Sequence, residues 1–382
     1  MQKCGATSQN RAQLRASSQL RRVSLISVIQ PEPRQLPRPA FVIREANPEE
    51  FATVGDVTVT AFQHGPYGHL PTSAERNRLM RDAEGRAASG TLLVAVASGT
   101  GAHAEGTVIA TASLLRAETE HSRLATGEEF ELRLLGVLPE ARGLGLGEAL
   151  TRVALERAVE QGASALVLDT GELNLPAQRL YERLGFERIS MDQMRDAAQA
   201  ADVPLVAYRY PLQRPDGEVL VRLMRDEEID AVAELSERAY AHDYSLSDSY
   251  RASIVDVAGR ADEHQVWVAS DTETGALLGT VSTPRAGAVM TELPQVGEMD
   301  FRLLAVHPDA RRRGIGELLS RHVLLLGRLR GVPRVVMNSG PEMIGAHKLY
   351  ERLGFERLLD REPLLTMPDG RELKLLSFGY SI

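Results

Sequence analysis

The segment PEARGLGLGEAL, residues Pro139–Leu150, recurs as PDARRRGIGELL at Pro308–Leu319. A shift of 169 positions superimposes residues 131–188 on residues 300–357 without a gap, and 26 of the 58 aligned pairs are identical. Solenoid repeats have periods of only 20 to 50 residues. The pattern therefore predicts two duplicated domains rather than a repeat array.

The boundaries of the two copies follow from the residues between them. The segment PLQRPDG, residues 211–217, is rich in chain-breaking residues and predicts a linker. We therefore expect an N-terminal module at residues 39–210 and a C-terminal module at residues 218–382. Residues 1–38 are rich in Ser, Gln and Arg and predict a disordered basic tail, although their composition also fits an organellar transit peptide.

Composition excludes several classes of protein. Of the 382 residues, 43% are hydrophobic and 25% charged, which is typical of a globular protein. No apolar run reaches the length of a membrane-spanning helix, so we expect a cytoplasmic protein without membrane contact. The tail carries a charge of +6 and the rest of the chain −14. An acidic body disfavours nucleic acid as a partner and mildly favours ligands that carry amines.

The cysteine and histidine content limits the possible chemistry. Cys4 is the only cysteine and lies in the predicted tail, which excludes an intrachain disulfide, a cysteine zinc site and a cysteine nucleophile in the core. The nine histidines show neither HxH nor HExxH spacing. We therefore predict no metal site.

The apolar pattern of the N-terminal module predicts a mixed α/β fold. Its predicted strands are Phe41–Arg44, Leu92–Ala97, Thr107–Ser113, Phe130–Val137, Ala165–Asp169 and Leu205–Tyr210. Its predicted helices are Pro48–Ala61, Ser73–Ala88, Glu148–Gln161 and Pro176–Leu184. The C-terminal module repeats this order. Each module should therefore form a mixed, mostly antiparallel sheet with helices on both faces.

The glycine-rich segment at Arg142–Gly147, repeated at Arg311–Gly316, lies between a strand and a helix. Glycines let the backbone approach a ligand closely, and the free amides at a helix start attract phosphate. Such a turn can also simply join two elements, but its duplication makes that interpretation weaker. The spacing fits neither the GxGxxG turn of dinucleotide-binding folds nor the GxxxxGK loop of nucleotide triphosphatases, so a dinucleotide site ranks below the alternatives that follow.

An RxxGxG loop after a strand, followed by a helix, a strand and the segment LYERLGF (Leu180–Phe186 and Leu349–Phe355), resembles the GNAT superfamily of N-acetyltransferases. The resemblance covers both modules, and the tandem arrangement is similar to that of mycothiol synthases. It implies two GNAT-like acetyltransferase modules that use acetyl-CoA (coenzyme A). In this family the loop amides hold the diphosphate, and the preceding strand pairs with the pantetheine arm.

The resemblance implies coenzyme-binding residues in both modules. In the N-terminal module they come from the strand, the loop and one helix start, and in the C-terminal module from the strand and the loop. In the N-terminal module they are Leu135, Gly136, Val137, Arg142, Gly143, Leu144, Gly145, Leu146, Gly147 and Asn174. In the C-terminal module they are Leu304, Ala305, Val306, Arg311, Arg312, Arg313, Gly314, Ile315 and Gly316. Three consecutive arginines predict stronger phosphate binding in the C-terminal module.

The resemblance implies direct attack of a neutral amine on the thioester, with the tyrosine of the YERLGF segment as the acid that protonates the leaving thiolate. These tyrosines are Tyr181 and Tyr350, and either of them could instead simply pack beneath its sheet.

Candidate proton acceptors differ between the modules. The N-terminal module carries Asp169 and Asn174, where the C-terminal module has Asn338 and Met343. Glu131 and its counterpart Asp300 are alternative bases, or else solvated charges at a strand end.

We therefore expect an acyl-CoA-dependent N-acetyltransferase that acts on a primary amine of a small molecule or peptide. The N-terminal module should hold the fuller proton-transfer set, and the C-terminal module could be structural or regulatory. The rival interpretation is a non-catalytic acyl-CoA sensor or partner-binding protein.

Overall fold

The computed structural model describes residues 40–190, 203–213, 217–244, 246–366 and 372–382. The predicted tail, residues 1–38, and part of the predicted linker, residues 214–216, lie outside the described residues.

The N-terminal module contains one seven-stranded sheet in the order β1-β2-β3-β4-β5-β7-β6. All neighbouring strands are antiparallel except β4 and β5, which are parallel. The strands are β1 (Phe41–Glu45), β2 (Gly90–Ala97), β3 (Val108–Arg116), β4 (Phe130–Val137), β5 (Ala165–Gly171), β6 (Glu187–Ile189) and β7 (Leu205–Pro211). The helices are α1 (Phe51–Gln63), α2 (Ala74–Arg81), α3 (Ala83–Ala88), α4 (Leu146–Glu160) and α5 (Leu175–Leu184).

Strand β2 explains why helices cover both faces of this sheet. Successive side chains of a strand point to opposite faces. Leu93 and Ala95 lie in the same core cluster as Leu150 of α4, whereas Leu92 and Val94 pack with the cluster that contains Val54 of α1. The predicted mixed sheet with helices on both faces is confirmed.

The predicted helix over Ser73–Ala88 is instead two helices. Asp82 adopts a non-helical conformation, and its carboxylate accepts a hydrogen bond from the amide of Gly85 at 2.9 Å. Aspartate is a preferred N-cap residue, so it ends α2 and begins α3.

The C-terminal module repeats the strand order but divides its sheet in two. The two sheets have the orders β12-β10-β9-β8 and β11-β13-β17-β14. The interruption lies at Phe301, between β11 and β12, where the N-terminal module has the continuous strand β4. The strands are β8 (Val219–Leu223), β9 (Gln265–Asp271), β10 (Leu277–Thr283), β11 (Met299–Asp300), β12 (Arg302–Val306), β13 (Arg334–Ser339), β14 (Glu356–Arg357) and β17 (Leu376–Ser381), with a separate hairpin of β15 (Leu364–Thr366) and β16 (Glu372–Lys374). The helices are α6 (Ile229–Ala241), α7 (Asp248–Val255), α8 (Val257–Glu263), α9 (Ile315–Arg330) and α10 (Ile344–Leu353).

The two modules pack against each other through α4 and α9. The guanidinium of Arg330 is only 6% exposed and donates to Glu156 Oε1 at 2.6 Å and to Gln265 Oε1 at 2.6 Å. Gln265 in turn donates to Glu160 Oε1 at 2.6 Å. The largest core cluster contains residues of both modules, among them Leu155 and Leu329. The modules therefore share one continuous interior.

Candidate active site

Two neighbouring strands separate at the centre of each module. Strands β4 and β5 pair only where Phe130–Leu132 faces Leu166–Leu168. Beyond these residues β4 pairs with β3 alone and β5 with β7 alone. The edge of β4 that faces β5 therefore has no strand partner past Leu132, and ligands of α/β sheets bind at such openings at the carboxyl ends of strands. In the C-terminal module, β12 likewise pairs with β10 but not with β13.

A bulge lies at this unpaired edge in both modules. Leu134 and Leu303 have positive φ angles of 50° and 54°, and the register of β4 and β12 shifts at these positions. Left-handed backbone is unfavourable for leucine and concentrates at functional sites. The bulge redirects the strand immediately before the predicted pantetheine-binding residues.

The glycine-rich loops end at helix starts that no side chain caps. Gly145 precedes α4 with φ 78° and Gly314 precedes α9 with φ 77°, and neither position has a side-chain capping bond. The first intrahelical bonds run from Ala149 to Gly145 and from Leu318 to Gly314. The preceding amides of each helix, including that of Gly147, are therefore available to an anion.

The first arginine of each loop was predicted to bind phosphate beside the loop amides, but in the structure it contacts the end of another helix. Arg142 donates to the carbonyls of Ala61 and His64, at the end of α1, at 3.2 and 2.9 Å. Arg311 donates to the carbonyl of Ala239, at the end of α6, and forms an ion pair with Asp243 at 2.8 Å. Cations are favourable at helix C-termini. Both guanidinium groups thus bind a helix end instead of adding their charge to the loop amides.

Of the remaining arginines in the second loop, Arg313 forms an ion pair with Asp271 at 3.2 Å. Arg312 is exposed, forms no ion pair with a described residue, and has φ 65° where the N-terminal module has Gly143 with φ 83°. The predicted triple arginine cluster therefore leaves one uncommitted cation, Arg312, on strained backbone.

The two tyrosines of the YERLGF segments occupy equivalent buried positions. Tyr181 is 6% exposed and contacts Phe186 and Tyr208, whereas Tyr350 is 3% exposed and contacts Phe355. Neither hydroxyl has a hydrogen-bond partner among the described residues. Burial raises the pKa of both phenols, and the Asp169 carboxylate raises that of Tyr181 further.

Glu131 and Asp300 are fully buried, so the interpretation as solvated strand-end charges is wrong. Glu131 Oε2 accepts hydrogen bonds from the Ser122 hydroxyl at 2.9 Å and from the amides of Arg123 and Leu124 at 2.6 and 2.8 Å. Its other oxygen, Oε1, accepts no hydrogen bond but lies 3.4 Å from Nε of Arg133, with which it forms an ion pair. This carboxylate holds the loop that enters β4.

Asp300 has the same role in the C-terminal module. It accepts hydrogen bonds from the Met290 amide at 2.9 Å and the Thr291 hydroxyl at 2.8 Å. The duplicated acids thus fix duplicated loops, and their action as bases stays a prediction.

Asp169 is paired with a cation that sequence analysis missed. Arg123 donates to Asp169 Oδ2 through Nε at 3.0 Å and through Nη2, and both side chains are largely buried. Asn174 donates to the Thr170 hydroxyl at 3.1 Å instead of pointing to a ligand of its own. Arg123 lies outside the repeated segment, so no pattern in the sequence indicated it.

The loop after α1 also reaches this site. The hydroxyl of Tyr67 accepts a hydrogen bond from the Leu173 amide at 2.7 Å, and its ring covers Gly171, where a Cβ atom would lie only 2.1 Å from the ring. Glycine is therefore required at the end of β5.

The C-terminal module has tyrosines at the corresponding place. Tyr240 is buried, donates to the Leu304 carbonyl at 3.3 Å, and contacts the rings of Tyr244 and Tyr250 at 6.5 and 6.1 Å. In the N-terminal module, Phe62 takes the place of Tyr240 and Arg76 takes the place of Tyr250. The Arg76 guanidinium lies 5.9 Å from the centre of the Phe62 ring. We define Tyr240, Tyr244, Tyr250 and Tyr350 as the tyrosine cluster, in which Tyr250 stands where the N-terminal module has the cation Arg76.

Two broader features of the described residues bear on the site. None of their helices combines the length and apolar character needed to cross a bilayer. No group of three acidic, histidine or cysteine side chains among them is arranged to hold a metal ion.

Comparison with known families gives matches in both modules. Residues 60–186 match the family described as acetyltransferase (GNAT) family, and residues 262–357 match an acetyltransferase (GNAT) domain. Together these matches cover more than half of the chain.

Curated relatives match over shorter stretches. The mycothiol acetyltransferase of Thermomonospora curvata is 47% identical over 64 residues, which is 17% of this chain and 22% of the relative. Human N-acetyltransferase 8B is 36% identical over 85 residues, 22% of this chain and 37% of the relative. The chain therefore aligns with only about a fifth to two fifths of the length of these relatives.

Solved structures that match part of the chain include a GNAT-family acetyltransferase from Staphylococcus aureus, with a TM-score of 0.37, 16% identity, and coverage of 46% of this chain and 100% of that chain. Another is spermidine N-acetyltransferase from Vibrio cholerae in complex with CoA and spermine, with a TM-score of 0.31, 15% identity, and coverage of 43% and 95%.

Proposed function

Because the chain belongs to the GNAT acetyltransferase family and carries two such domains in tandem, we propose that it transfers an acetyl group from acetyl-CoA to a primary amine of a small molecule or peptide. The observation that carries the proposal is the uncapped helix start behind a left-handed glycine, present at Gly145 and again at Gly314. Both starts lie beside a strand whose edge lacks a partner. We place the reaction in the cytoplasm, as the sequence led us to expect.

The loop and the strand edge would bind different parts of the coenzyme. Amides at the start of α4 or α9 suit the diphosphate, because the helix dipole favours negative charge there. The unpaired edge at Leu135–Val137, or at Leu304–Val306, offers main-chain groups to the amides of the pantetheine arm. Fixing both ends of the coenzyme would hold the thioester carbon at the opening between the strands, where an amine can approach it.

The proposed chemistry is a direct transfer. The neutral amine attacks the thioester carbon, the C–N bond forms, and the C–S bond breaks. Tyr181 or Tyr350 gives its phenolic proton to the departing thiolate, and the nitrogen loses its extra proton to a base. Burial raises the pKa of both phenols, so they remain protonated at neutral pH and can donate. No cysteine nucleophile is needed.

The base of the N-terminal module is assigned to Asp169, with Glu131 as the alternative. Asp169 lies close enough to Tyr181 to affect its pKa, so the acid and the base would act at one place. Both contacts of Arg123 are with Oδ2 of Asp169, so Oδ1 is the oxygen that would accept the proton. In the C-terminal module Asn338 cannot act as a base, which leaves Asp300.

One observation favours a second candidate function for the N-terminal module. Arg123 is hydrogen-bonded to Asp169 through two nitrogens, so this carboxylate is already paired with a cation of the protein. A module in this state would bind acetyl-CoA without using it, which is the behaviour of a sensor of acyl-CoA.

The test measures release of CoA thiol from acetyl-CoA against a panel of amines. We expect steady turnover with at least one amine in the wild type. Tyr181→Phe should lower kcat about 100-fold if the N-terminal module carries the reaction, and Tyr350→Phe should do so if the C-terminal module does. Tyr380→Phe, which removes a phenol outside both openings, is the control. Tight coenzyme binding without turnover across the panel would establish the sensor instead.

The same assay gives a pH profile with a defined sign. An acid must be protonated to act, and the phenols of Tyr181 and Tyr350 have pKa values raised above the usual 10. We therefore expect no loss of kcat from deprotonation of the phenol below about pH 10. A decline centred near pH 8 that disappears in the Phe variant would contradict this assignment.

A further inference from the structure

A groove of about 460 Å³ lies between the two modules, and none of the residues that line it belongs to either glycine-rich loop. The N-terminal module contributes Arg152, Arg183 and the ring of Tyr210, and the C-terminal module contributes Arg328 and Val332. Neither module forms this groove alone.

The side chains that line the groove carry more positive charge than the nearby carboxylate side chain can neutralise. Arg152 and Arg183 share one carboxylate, that of Glu148, at 3.0 and 2.8 Å. Arg328 is exposed, and its guanidinium forms no ion pair with a described residue. The side chains around the groove therefore bring three guanidinium groups to one carboxylate, that of Glu148, on a chain whose net charge is −8.

One of these arginines also connects the two walls of the groove. Arg152 Nη1 donates to the main-chain carbonyl of Arg328 at 2.6 Å, which connects the two modules across the groove. The ring of Tyr210 packs against Phe186 at 5.3 Å, and no hydrogen bond to a described residue occupies its hydroxyl. The groove is thus preformed, with guanidinium and hydroxyl donors and an apolar floor.

We propose that this groove is a binding site for a phosphate monoester dianion. The excess of guanidinium groups over side-chain carboxylates suits a group that carries close to two negative charges at neutral pH. Planar guanidinium groups bind phosphate oxygens in pairs, which makes arginine the side chain suited to this ligand.

Two sources can supply such a group. One is the 3′-phosphate of a coenzyme bound at the N-terminal loop, and this source rests on the proposed function. Arg152 lies six residues beyond the first residue of α4, about 9 Å along the helix axis at 1.5 Å per residue, which is within reach of the nucleotide end of the coenzyme. The other source is a separate phosphorylated metabolite.

The coenzyme arm of the test compares CoA with dephospho-CoA by calorimetry on the full chain. If the coenzyme supplies the phosphate, CoA should bind the N-terminal module about tenfold more tightly than dephospho-CoA. Arg328→Met and Arg183→Met should each abolish most of this difference. Arg321→Met and Arg352→Met are matched controls, because these residues hold the equivalent places around Glu317 and do not line the groove.

The second arm uses inorganic phosphate as the probe, with the loops first saturated by dephospho-CoA. Saturable phosphate binding that Arg328→Met weakens about tenfold and Arg321→Met leaves intact would identify a separate ligand. If no coenzyme binds at all, the proposed function fails, but phosphate binding to the free protein still tests the groove. The proposal is overturned if CoA and dephospho-CoA bind equally and phosphate does not bind, or if Arg328→Met and Arg183→Met change neither quantity.

Discussion

The two modules share the strand bulge and helix start of the proposed coenzyme site, and they differ in the residues beside the opening between the strands. Both have a bulge at a leucine, a helix start behind a left-handed glycine and a buried tyrosine. Beside the opening, however, the N-terminal module places the ion pair of Arg123 with Asp169, and the C-terminal module places the tyrosine cluster. The parts that would hold a coenzyme are thus duplicated, whereas the parts that would meet an acceptor have diverged. We infer that the two modules do not act on the same acceptor.

The largest expected effect concerns the glycine that precedes the helix start in each module. Gly145→Val and Gly314→Val each force a β-branched residue into left-handed backbone, although the surrounding space is open at Gly145. We expect each variant to weaken coenzyme binding at its own module at least 100-fold, so that the calorimetric stoichiometry falls from two to one.

Gly101→Ala is the control for these variants, since it lies in open space without a positive φ. A stoichiometry of two in either Val variant would show that the helix start does not hold the coenzyme.

The buried acids should differ in their contribution to stability. Glu131→Leu leaves three donors without an acceptor, whereas Asp300→Leu leaves two. Each unsatisfied buried donor costs about 1–3 kcal/mol. We expect the free energy of unfolding, measured by chemical denaturation, to fall by about 3–4 kcal/mol for Glu131→Leu and by about 2–3 kcal/mol for Asp300→Leu. Equal losses would mean that the two loops are held by other contacts.

The ion pair gives a smaller effect on activity. Arg123→Gln removes the cation from Asp169 and should raise kcat/KM about tenfold for any amine that the N-terminal module acetylates. Arg116→Gln, which loses only a hydrogen bond to Gln161, is the control. If Arg123→Gln lowers kcat/KM instead, Arg123 binds the substrate and does not obstruct it.

The smallest effect distinguishes the two loops. Arg312→Gly introduces glycine, the residue that the N-terminal loop has at the equivalent position, Gly143. It relieves the strain of a side chain on left-handed backbone. After the entropy cost of a glycine, we expect a gain of about 0.5–1 kcal/mol in the free energy of unfolding. The coenzyme should bind the C-terminal module several times more weakly, because its one uncommitted loop cation is gone. Tighter binding would exclude a phosphate contact by Arg312.

Most elements could be predicted because their signals are local. The apolar run of β2, the glycine after α5 and the duplicated loop each fix a strand, a helix end or a turn from a few adjacent residues. The break at Asp82 was missed because a cap inside a helical pattern looks like any other polar position. The division of the second sheet at Phe301 was missed because an apolar residue there fits a continuous strand equally well.

Side-chain partners were harder to predict than elements. Arg142 and Arg311 lie in a motif whose spacing favours a phosphate role, yet both donate to carbonyls at the end of another helix, 72 to 81 residues away in sequence, and Arg311 also pairs with Asp243. Arg123 lies before the aligned segment, residues 131–188, so the repeat did not mark it. Such contacts depend on how distant segments pack, which residue spacing does not report.

The contact of Arg330 with Glu156 and Gln265 has an evolutionary consequence. A gene that arose by duplication could in principle lose one half again and return to its ancestral length. Here that deletion would leave a guanidinium without its carboxylate and bare the apolar surface around Leu155 or Leu329. Each half therefore depends on the other for part of its stability, and we expect neither to fold as well alone.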